Sequence, residues 1–340
     1  MITIRQPLSF TEIGQKDNQE DYIFPSLADE ETRVFIMCDG MGGHDNGEVA
    51  SMTAANALGN YLSSCSAIDI PVFETGLAKA YDALDNIDTN SLKKPGTTMT
   101  CLCLNEDNYL VAHIGDSRIY HIRPSLYNFN TKRGGILYQS SDHSLVNDLL
   151  KAGELTEDEA KDFPQKNIIT RAMQPHLAKR YKADVYTFDD IQGGDYFFMC
   201  SDGILERLSN EALCEILAQD NLSDELKLAK IKSICENKTK DNYTCWLIPI
   251  DKTNVKGTNS KNTQIIQAIE EGESTGLSVA EDPVPMITQQ SKEKKNKYSF
   301  PKFSVDAENF NTEKLLLYID LLVIGIMLVI SLWFLIKSIV

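Results

Sequence analysis

From Met1 to about Ile250, short runs rich in β-branched and aromatic residues alternate with longer stretches whose apolar positions recur at helical spacing. That mixture belongs to a domain in which helices cover sheets, α+β or α/β. Strands are predicted over 2–13, 33–38, 97–104, 109–114, 118–123, 181–188, 196–200 and 243–250. Several follow one another directly, so hairpins are expected, with polar and glycine residues at 105–108 and 115–117 to turn them. Helical periodicity marks 47–65, 72–86, 144–152, 156–163, 210–218 and 223–237. The first two form one adjacent pair and the last two another. Each pair needs an apolar surface to lie on, and a sheet built from the intervening strands supplies it, so a layered sandwich is expected in preference to a doubly wound sheet.

After Ile250 the pattern stops. Residues 251–313 are dominated by Asn, Thr, Ser, Glu, Lys and Gln, too polar for a core, and read as a disordered linker. From Leu315 to Ile336 the chain is then apolar apart from Tyr318, Asp320 and Ser331. At roughly 1.5 Å per residue such a helix crosses a hydrocarbon layer of ~30 Å, so 314–337 is predicted to be a transmembrane helix. Lys292, Lys294, Lys295, Lys297, Lys302 and Lys314 precede it and only Lys337 follows, which by the positive-inside rule puts the N-terminal domain on the cytoplasmic side. Asp320 sits at the interface or pairs within a helix assembly. Charged and polar residues interrupt every apolar run before Val34, so no secretory signal is expected.

Charge narrows the classes further. Residues 1–250 carry 23 Lys and Arg against 38 Asp and Glu. Such a surface repels nucleic acid and anionic lipid and suits hard cations; nucleic acid is not an expected partner. The eight cysteines contain no CxxC pair and lie mostly in apolar runs, which points to buried, reduced thiols in place of zinc or disulfides.

The chemistry gathers at strand ends. The apolar run 33–38 leads into Asp39, followed by Gly40, Met41, Gly42 and Gly43, and leaves the Gly40 carbonyl free as a second oxygen ligand. The run 196–200 leads into Ser201, Asp202 and Gly203, Asp241 precedes Asn242 and another strand, and Asp116 lies in the turn of Gly115, Ser117 and Arg118. Asp-Gly is a common turn pair and Asp a common helix cap, so any one alone says little. Four together, with Glu20 and Asp21 near the first, repel one another unless protons or cations intervene, and oxygen ligands select Mg²⁺ or Mn²⁺.

These segments, in their order, resemble the PP2C (PPM) family of metal-dependent serine/threonine phosphatases in its bacterial form. The resemblance covers residues 1 to about 250 and runs through residues 14–21, Asp39 to Gly43 with Gly47, Glu48, Ala50 and Ser51, then residues 96–98, 115–118, 142–144 and 201–203, and Asp241 with Asn242. It implies a four-layer αββα sandwich holding two Mn²⁺ or Mg²⁺ ions, with a third, weaker one. Asp39 bridges the two ions, Asp202 and Asp241 complete one, and Asp21 with the Gly40 carbonyl serves the other. Asp116 and Asp202 hold the third. Asp39, Asp202 and Asp241 are thus the catalytic set, and a metal-activated water attacks phosphorus without a phosphoenzyme. None of the eight cysteines stands six residues before an arginine, as a cysteine phosphatase loop requires.

Two positions depart from the family. Lys16 stands where an arginine holds substrate phosphate, keeping the charge without the bidentate fork. Met41 replaces the histidine of eukaryotic members, with His44 nearby. Residues 149–172 resemble the flap beside the bacterial site, with Arg171 near its end. The expected partners are phosphorylated proteins and an opposing membrane Ser/Thr kinase. The alternatives are a weak or inactive PP2C-like scaffold binding phosphoproteins at the membrane, which the full carboxylate set argues against, and the branch acting on anti-sigma-factor antagonists, which usually lacks the 115–118 segment and the flap.

Overall fold

The computed structural model describes residues 1–42, 47–87, 94–161, 163–165 and 168–253. The expected transmembrane helix, most of the expected linker, and His44 lie outside the described residues. Among the described residues no helix is long and apolar enough to cross a membrane.

The strands are β1 (Ile2–Ile4), β2 (Leu8–Glu12), β3 (Asp21–Phe24), β4 (Val34–Met41), β5 (Gly96–Thr97), β6 (Met99–Leu104), β7 (Tyr109–Ile114), β8 (Arg118–Ile122), β9 (Ile136–Gln139), β10 (Asp184–Phe188), β11 (Tyr196–Cys200) and β12 (Tyr243–Thr253). The α-helices are α1 (Gly47–Ser63), α2 (Ile70–Asp85), α3 (Leu145–Lys151), α4 (Glu157–Lys161), α5 (Asp202–Leu205), α6 (Asn210–Leu217) and α7 (Asp224–Cys235). One sheet has the order β1-β12-β11-β8-β9, with β2 also on β12; the other has the order β10-β7-β6-β4-β3, with β5 on β4.

Three apolar layers make this the expected αββα sandwich. Ala54, Leu58, Phe73 and Leu77 of α1 and α2 pack on Ile36, Cys101 and Ala112 of one sheet. Leu213, Leu217 and Ile231 of α6 and α7 pack on Tyr120, Phe198 and Cys245 of the other. Phe35, Met37, Leu102 and Val111 meet Ile119, Phe197, Met199 and Trp246 between the sheets. Strands buried on both faces lose polar/apolar alternation, which is why β6 and β7 are buried at every position. Helix starts are set locally: Asp69 accepts from the Val72 amide at α2, and Ser144, Ser209 and Ser223 do the same at α3, α6 and α7.

The predicted strand 2–13 is two strands, broken around Pro7, which has no amide to donate; both pair with β12. The predicted strand 97–104 is interrupted at Thr98, whose amide turns to the Asp39 carbonyl at 2.9 Å. The run 33–38 extends through Met41, so Asp39 lies inside a paired strand, opposite Asp21 in β3. The strand predicted over 181–188 begins only at Asp184. The short strands β3 and β9 and the single-turn helix α5 are not among the elements that the sequence pattern predicts. Most consequential for function, the β7–β8 hairpin does not stay in one sheet. Its turn, Gly115 to Ser117, crosses from one to the other.

Trp246 meets Phe35 edge-on across the sheets, with ring centroids 5.4 Å apart, and its buried indole N–H has no partner. Trp246→Ala is expected to cost about 3–5 kcal/mol in equilibrium urea unfolding, whereas Trp246→Phe keeps most of the contact, removes the unpaired donor and costs much less. Equal losses in the two variants would contradict this account of the inter-sheet layer.

Candidate metal centre

Five chain segments meet at one end of the sandwich: the start of β3, the end of β4, the β7–β8 turn, the β11–α5 junction and the residues leading into β12. Each brings a carboxylate. Asp39 lies close enough to Asp21, Asp202, Asp116 and Asp241 for all four charges to act on it, so the five predicted carboxylates come together.

Backbone and hydroxyl contacts hold them in place. The Asp39 amide donates to Thr98 Oγ1 at 3.0 Å, and the Asp39 carbonyl accepts from Thr97 Oγ1 at 3.0 Å. Thr98 and Ser117 share a hydroxyl hydrogen bond of 2.8 Å, tying the Asp39 strand to the Asp116 turn. Ser201 Oγ donates to Asp21 Oδ2 at 2.8 Å and accepts from the Thr244 amide at 3.0 Å. Asn242 Nδ2 donates to the carbonyls of Ile13 and Asn18, and its Oδ1 accepts from the Glu20 amide, which fixes the loop carrying Lys16. Gly40 donates its amide to the Glu20 carbonyl. Close approach explains two glycines: a Cβ at Gly40 would lie 2.3 Å from the Gly47 carbonyl oxygen, and one at Gly203 would lie 2.0 Å from that of Asn242. Of these contacts, the hydroxyl partners of Thr98, Ser117 and Ser201 were not anticipated. Their residues stand in the recognised segments, but their partners lie across a sheet or between sheets.

Burial and mutual repulsion dominate the electrostatics. Burial pushes the Asp21 carboxyl up to about 7, with Asp202 and Asp241 adding to the rise and the nearby Thr244 hydroxyl and the Ser201 hydrogen bond opposing it. Burial, then Asp202 and Asp142, takes Asp116 to about 7. Burial and Asp241 take Asp202 to about 6, against a hydrogen bond shared with Asp39. Burial and its four acidic neighbours put Asp39 well above the usual carboxylate range.

Two buried oxygens, Asp21 Oδ1 and Asp116 Oδ1, accept no hydrogen bond from the described residues. Buried carboxylate oxygens without donors, in a set that offers oxygen alone, fit hard divalent cations such as Mn²⁺ or Mg²⁺. The eight cysteines are all free, and all but the half-buried Cys65 are buried.

Lys16 Nζ lies 2.9 Å from Asp241 Oδ1, with the two side chains 46% and 39% exposed. Burial opposes its charge, but the hydrogen bond and charge of Asp241, with Glu20 and Asp39 behind, hold its pKa above the ordinary value. Met41 ends β4, half-buried. The predicted flap takes in the end of α3 and all of α4, and the segment is closed at its base by Leu145 N–H donating to the Ile168 carbonyl and Thr170 N–H to the His143 carbonyl, both at 2.9 Å. Arg171 pairs with Asp184 at 3.1 Å.

Residues 11–226 match the family model described as protein phosphatase 2C. A 2C-type protein phosphatase of Streptococcus pyogenes is 33% identical over 258 residues, covering 72% of this chain and 98% of that protein. Protein phosphatase PhpP of Streptococcus pneumoniae is 34% identical over 217 residues, covering 62% of this chain and 83% of that protein. Among solved structures, the serine/threonine phosphatase of S. agalactiae is similar with a TM-score of 0.59 and 29% identity, over 72% of this chain and 99% of that one. The catalytic domain of phosphatase PstP, in complex with two manganese ions, aligns with a TM-score of 0.60 at 23% identity, over 74% of this chain and 100% of that one.

The raised carboxyl pKa values carry a sign. A carboxyl whose folded pKa exceeds its unfolded value of about 4 keeps its proton longer in the native state, so its stabilisation is complete below about pH 4 and is lost as pH rises through the folded value. Metal-free protein is therefore expected to lose thermal stability from about pH 4 to about pH 7, between the ordinary carboxylate value and the raised values of Asp21, Asp116 and Asp202, and to change little above that. Asp39→Asn should flatten this dependence and Mn²⁺ should reverse it. Calorimetry of the chelator-treated protein across that range checks it, and rising metal-free stability would refute it.

Proposed function

Because the chain belongs to the protein phosphatase 2C family, we propose that it hydrolyses phosphoserine and phosphothreonine in proteins at a two-metal centre built from Asp39, Asp202, Asp241, Asp21 and the Gly40 carbonyl. It is a metal-dependent Ser/Thr protein phosphatase, a reading supported by relatives named protein phosphatase PhpP and serine/threonine phosphatase Stp. The observation that carries the two-metal reading is the convergence of five carboxylates at one sheet end, with two buried oxygens lacking any donor.

Asp39, the carboxylate that feels all four others, is assigned to both ions. Asp202 and Asp241 join it on one, and Asp21 with the Gly40 carbonyl on the other. Asp116 and Asp202 are assigned a third, weaker ion. When bound, the ions supply Lewis-acid charge at the phosphate and a water made acidic enough to attack at neutral pH. Lys16 binds the substrate phosphate: its ammonium is exposed and can turn from Asp241 to an incoming dianion. As a point charge it orients phosphate less strictly than a guanidinium fork. Asn242 keeps the Lys16 loop in place through its bonds to Ile13, Asn18 and Glu20. Met41 has no proton to give, so the leaving alkoxide takes its proton from water.

We further propose that residues 314–337 anchor the catalytic domain at the cytoplasmic face of a membrane. Apolar length and the excess of lysines before the span support this reading. A Ser/Thr kinase in the same membrane would be the opposing enzyme, favoured by effective concentration.

The full chain in detergent with Mn²⁺ is expected to dephosphorylate a phosphothreonine peptide and to stop on addition of EDTA. Asp39→Asn and Asp202→Asn should each lower kcat/KM by more than about 100-fold, the upper loss seen for outer-shell substitutions at metal sites, and Lys16→Ala should act chiefly on KM. Turnover that survived either aspartate substitution would refute the two-metal centre. For the anchor, the full chain should sediment with membranes, resist extraction by alkaline carbonate and become soluble when residues 314–340 are removed. A full chain extracted by carbonate alone would refute a spanning helix.

A further inference from the structure

His143, Asp184 and His113 gather within 4.8 Å of one another beside the centre, and geometry argues against a further metal there. The two imidazoles are stacked, with centroids 4.6 Å apart and planes 15° apart, so their in-plane lone pairs run side by side and cannot converge at the ~2.0–2.1 Å that a metal–nitrogen bond needs. The Arg171 guanidinium already lies 3.1 Å from Asp184 Oδ1 and 3.2 Å from His143 Nε2.

The cluster points instead toward the turn that crosses between the sheets. His143 Nδ1 accepts from the Gly115 amide at 3.1 Å, and the His143 amide donates to the Gly115 carbonyl at 2.9 Å. With Nδ1 accepting, the imidazole proton sits on Nε2, from which it donates to Asp184 Oδ2 at 3.2 Å. His143 is 2% exposed. His113 stacks on its face and is itself fixed by Nε2 donating to the Ser141 carbonyl at 2.8 Å. Gly115 has φ +106°, and a Cβ there would lie 2.5 Å from Thr98 Cγ2, so the turn has no side chain of its own at this point to brace it. The next residue is Asp116, whose buried Oδ1 has no donor. Its carboxylate must therefore be aimed by the backbone, held on one side by Ser117 and Thr98 and on the other by His143.

We propose that His143 is a positioning residue that sets the Asp116 carboxylate for its divalent ion by clamping Gly115 at both amide and carbonyl. This rests on the assignment of an ion to Asp116 made above. Asp184, itself paired with Arg171, holds the ring that does the clamping, and the Thr170 amide donates to the His143 carbonyl, so the end of the flap and the metal turn share one residue.

Two substitutions separate the ring's contacts. Asparagine places an amide oxygen where Nδ1 lies and retains the acceptor for Gly115, whereas glutamine reaches toward the Nε2 position and Asp184 but leaves Gly115 unpaired. Bound Mn²⁺ in the full chain is counted by electron paramagnetic resonance, and Gly115 amide exchange is followed by NMR in metal-free protein. His143→Gln is expected to weaken the weakest-bound Mn²⁺ by about 10–100-fold, as loss of an outer-shell contact does, to speed Gly115 exchange and to retain the tighter ions. His143→Asn is expected to keep both the ion and the amide protection. Glutamine leaving the weakest ion and the amide unchanged would overturn the proposal, and so would a folded asparagine variant that loses them. Asp116→Asn is the control: an unchanged Mn²⁺ count there refutes the ion at Asp116, while the Gly115 exchange rates still decide the clamp.

Discussion

Repulsion among crowded, partly buried carboxylates is the constraint on which this structure turns. Asp21 and Asp39 face each other across an antiparallel strand pair, an arrangement that is unfavourable for like charges, and Asp202, Asp116 and Asp241 crowd the same pair. A protein on its own can satisfy such a site only by keeping protons that these groups normally lose, and the upward shifts of Asp21, Asp116 and Asp202 to about 7, 7 and 6, driven first by burial and then by the neighbouring charges, record that cost. A divalent cation removes the conflict and turns the same crowding into affinity. The rest of the fold keeps the carboxylates from relaxing apart. Two sheets fix the strand ends, glycines let backbones approach, and Thr98, Ser117 and Ser201 tie neighbouring segments with hydroxyl bonds.

The opposite end of the sandwich shows what a buried charged network looks like when the protein satisfies it alone. Tyr109 meets His121 Nδ1 at 2.7 Å, and His121 Nε2 meets Asp195 Oδ2 at 2.9 Å. Arg123 donates to both oxygens of Asp195 at 2.9 Å and also to Asp190. Here a guanidinium and an imidazole answer the carboxylates, and the Asp195 pKa is depressed: its bonds to His121 and Arg123 outweigh burial. At the carboxylate-rich end the nearby Arg118 is committed to Asp142 by two bonds of 2.7 and 2.6 Å. The contrast between the two ends is chemical: one carboxylate cluster is closed by the protein's own donors, whereas at the other Asp21 Oδ1 and Asp116 Oδ1 have none among the described residues.

Much of this was legible in the chain. Apolar runs ending in Asp39 and in Ser201–Asp202, with glycine next, marked two sides of the site, and helical spacing marked the outer layers. Resemblance, and not pattern, assigned the roles of the individual aspartates. What escaped had physical causes. β3 and β9 are four residues each, too short for an alternating pattern to register. Asp39 reads as a strand terminus because glycines follow it, yet β4 continues to Met41 since Gly40 and Met41 pair with β5. The part played by His143 has no local signature, because it depends on a turn 28 residues away.

The most direct measurement is anomalous diffraction at the manganese edge from crystals of this protein soaked in Mn²⁺. The account predicts strong peaks within the cluster of Asp21, Asp39, Asp202 and Asp241, a weaker one at Asp116, and none between His113, His143 and Asp184. An empty carboxylate cluster beside an occupied histidine cluster would contradict it.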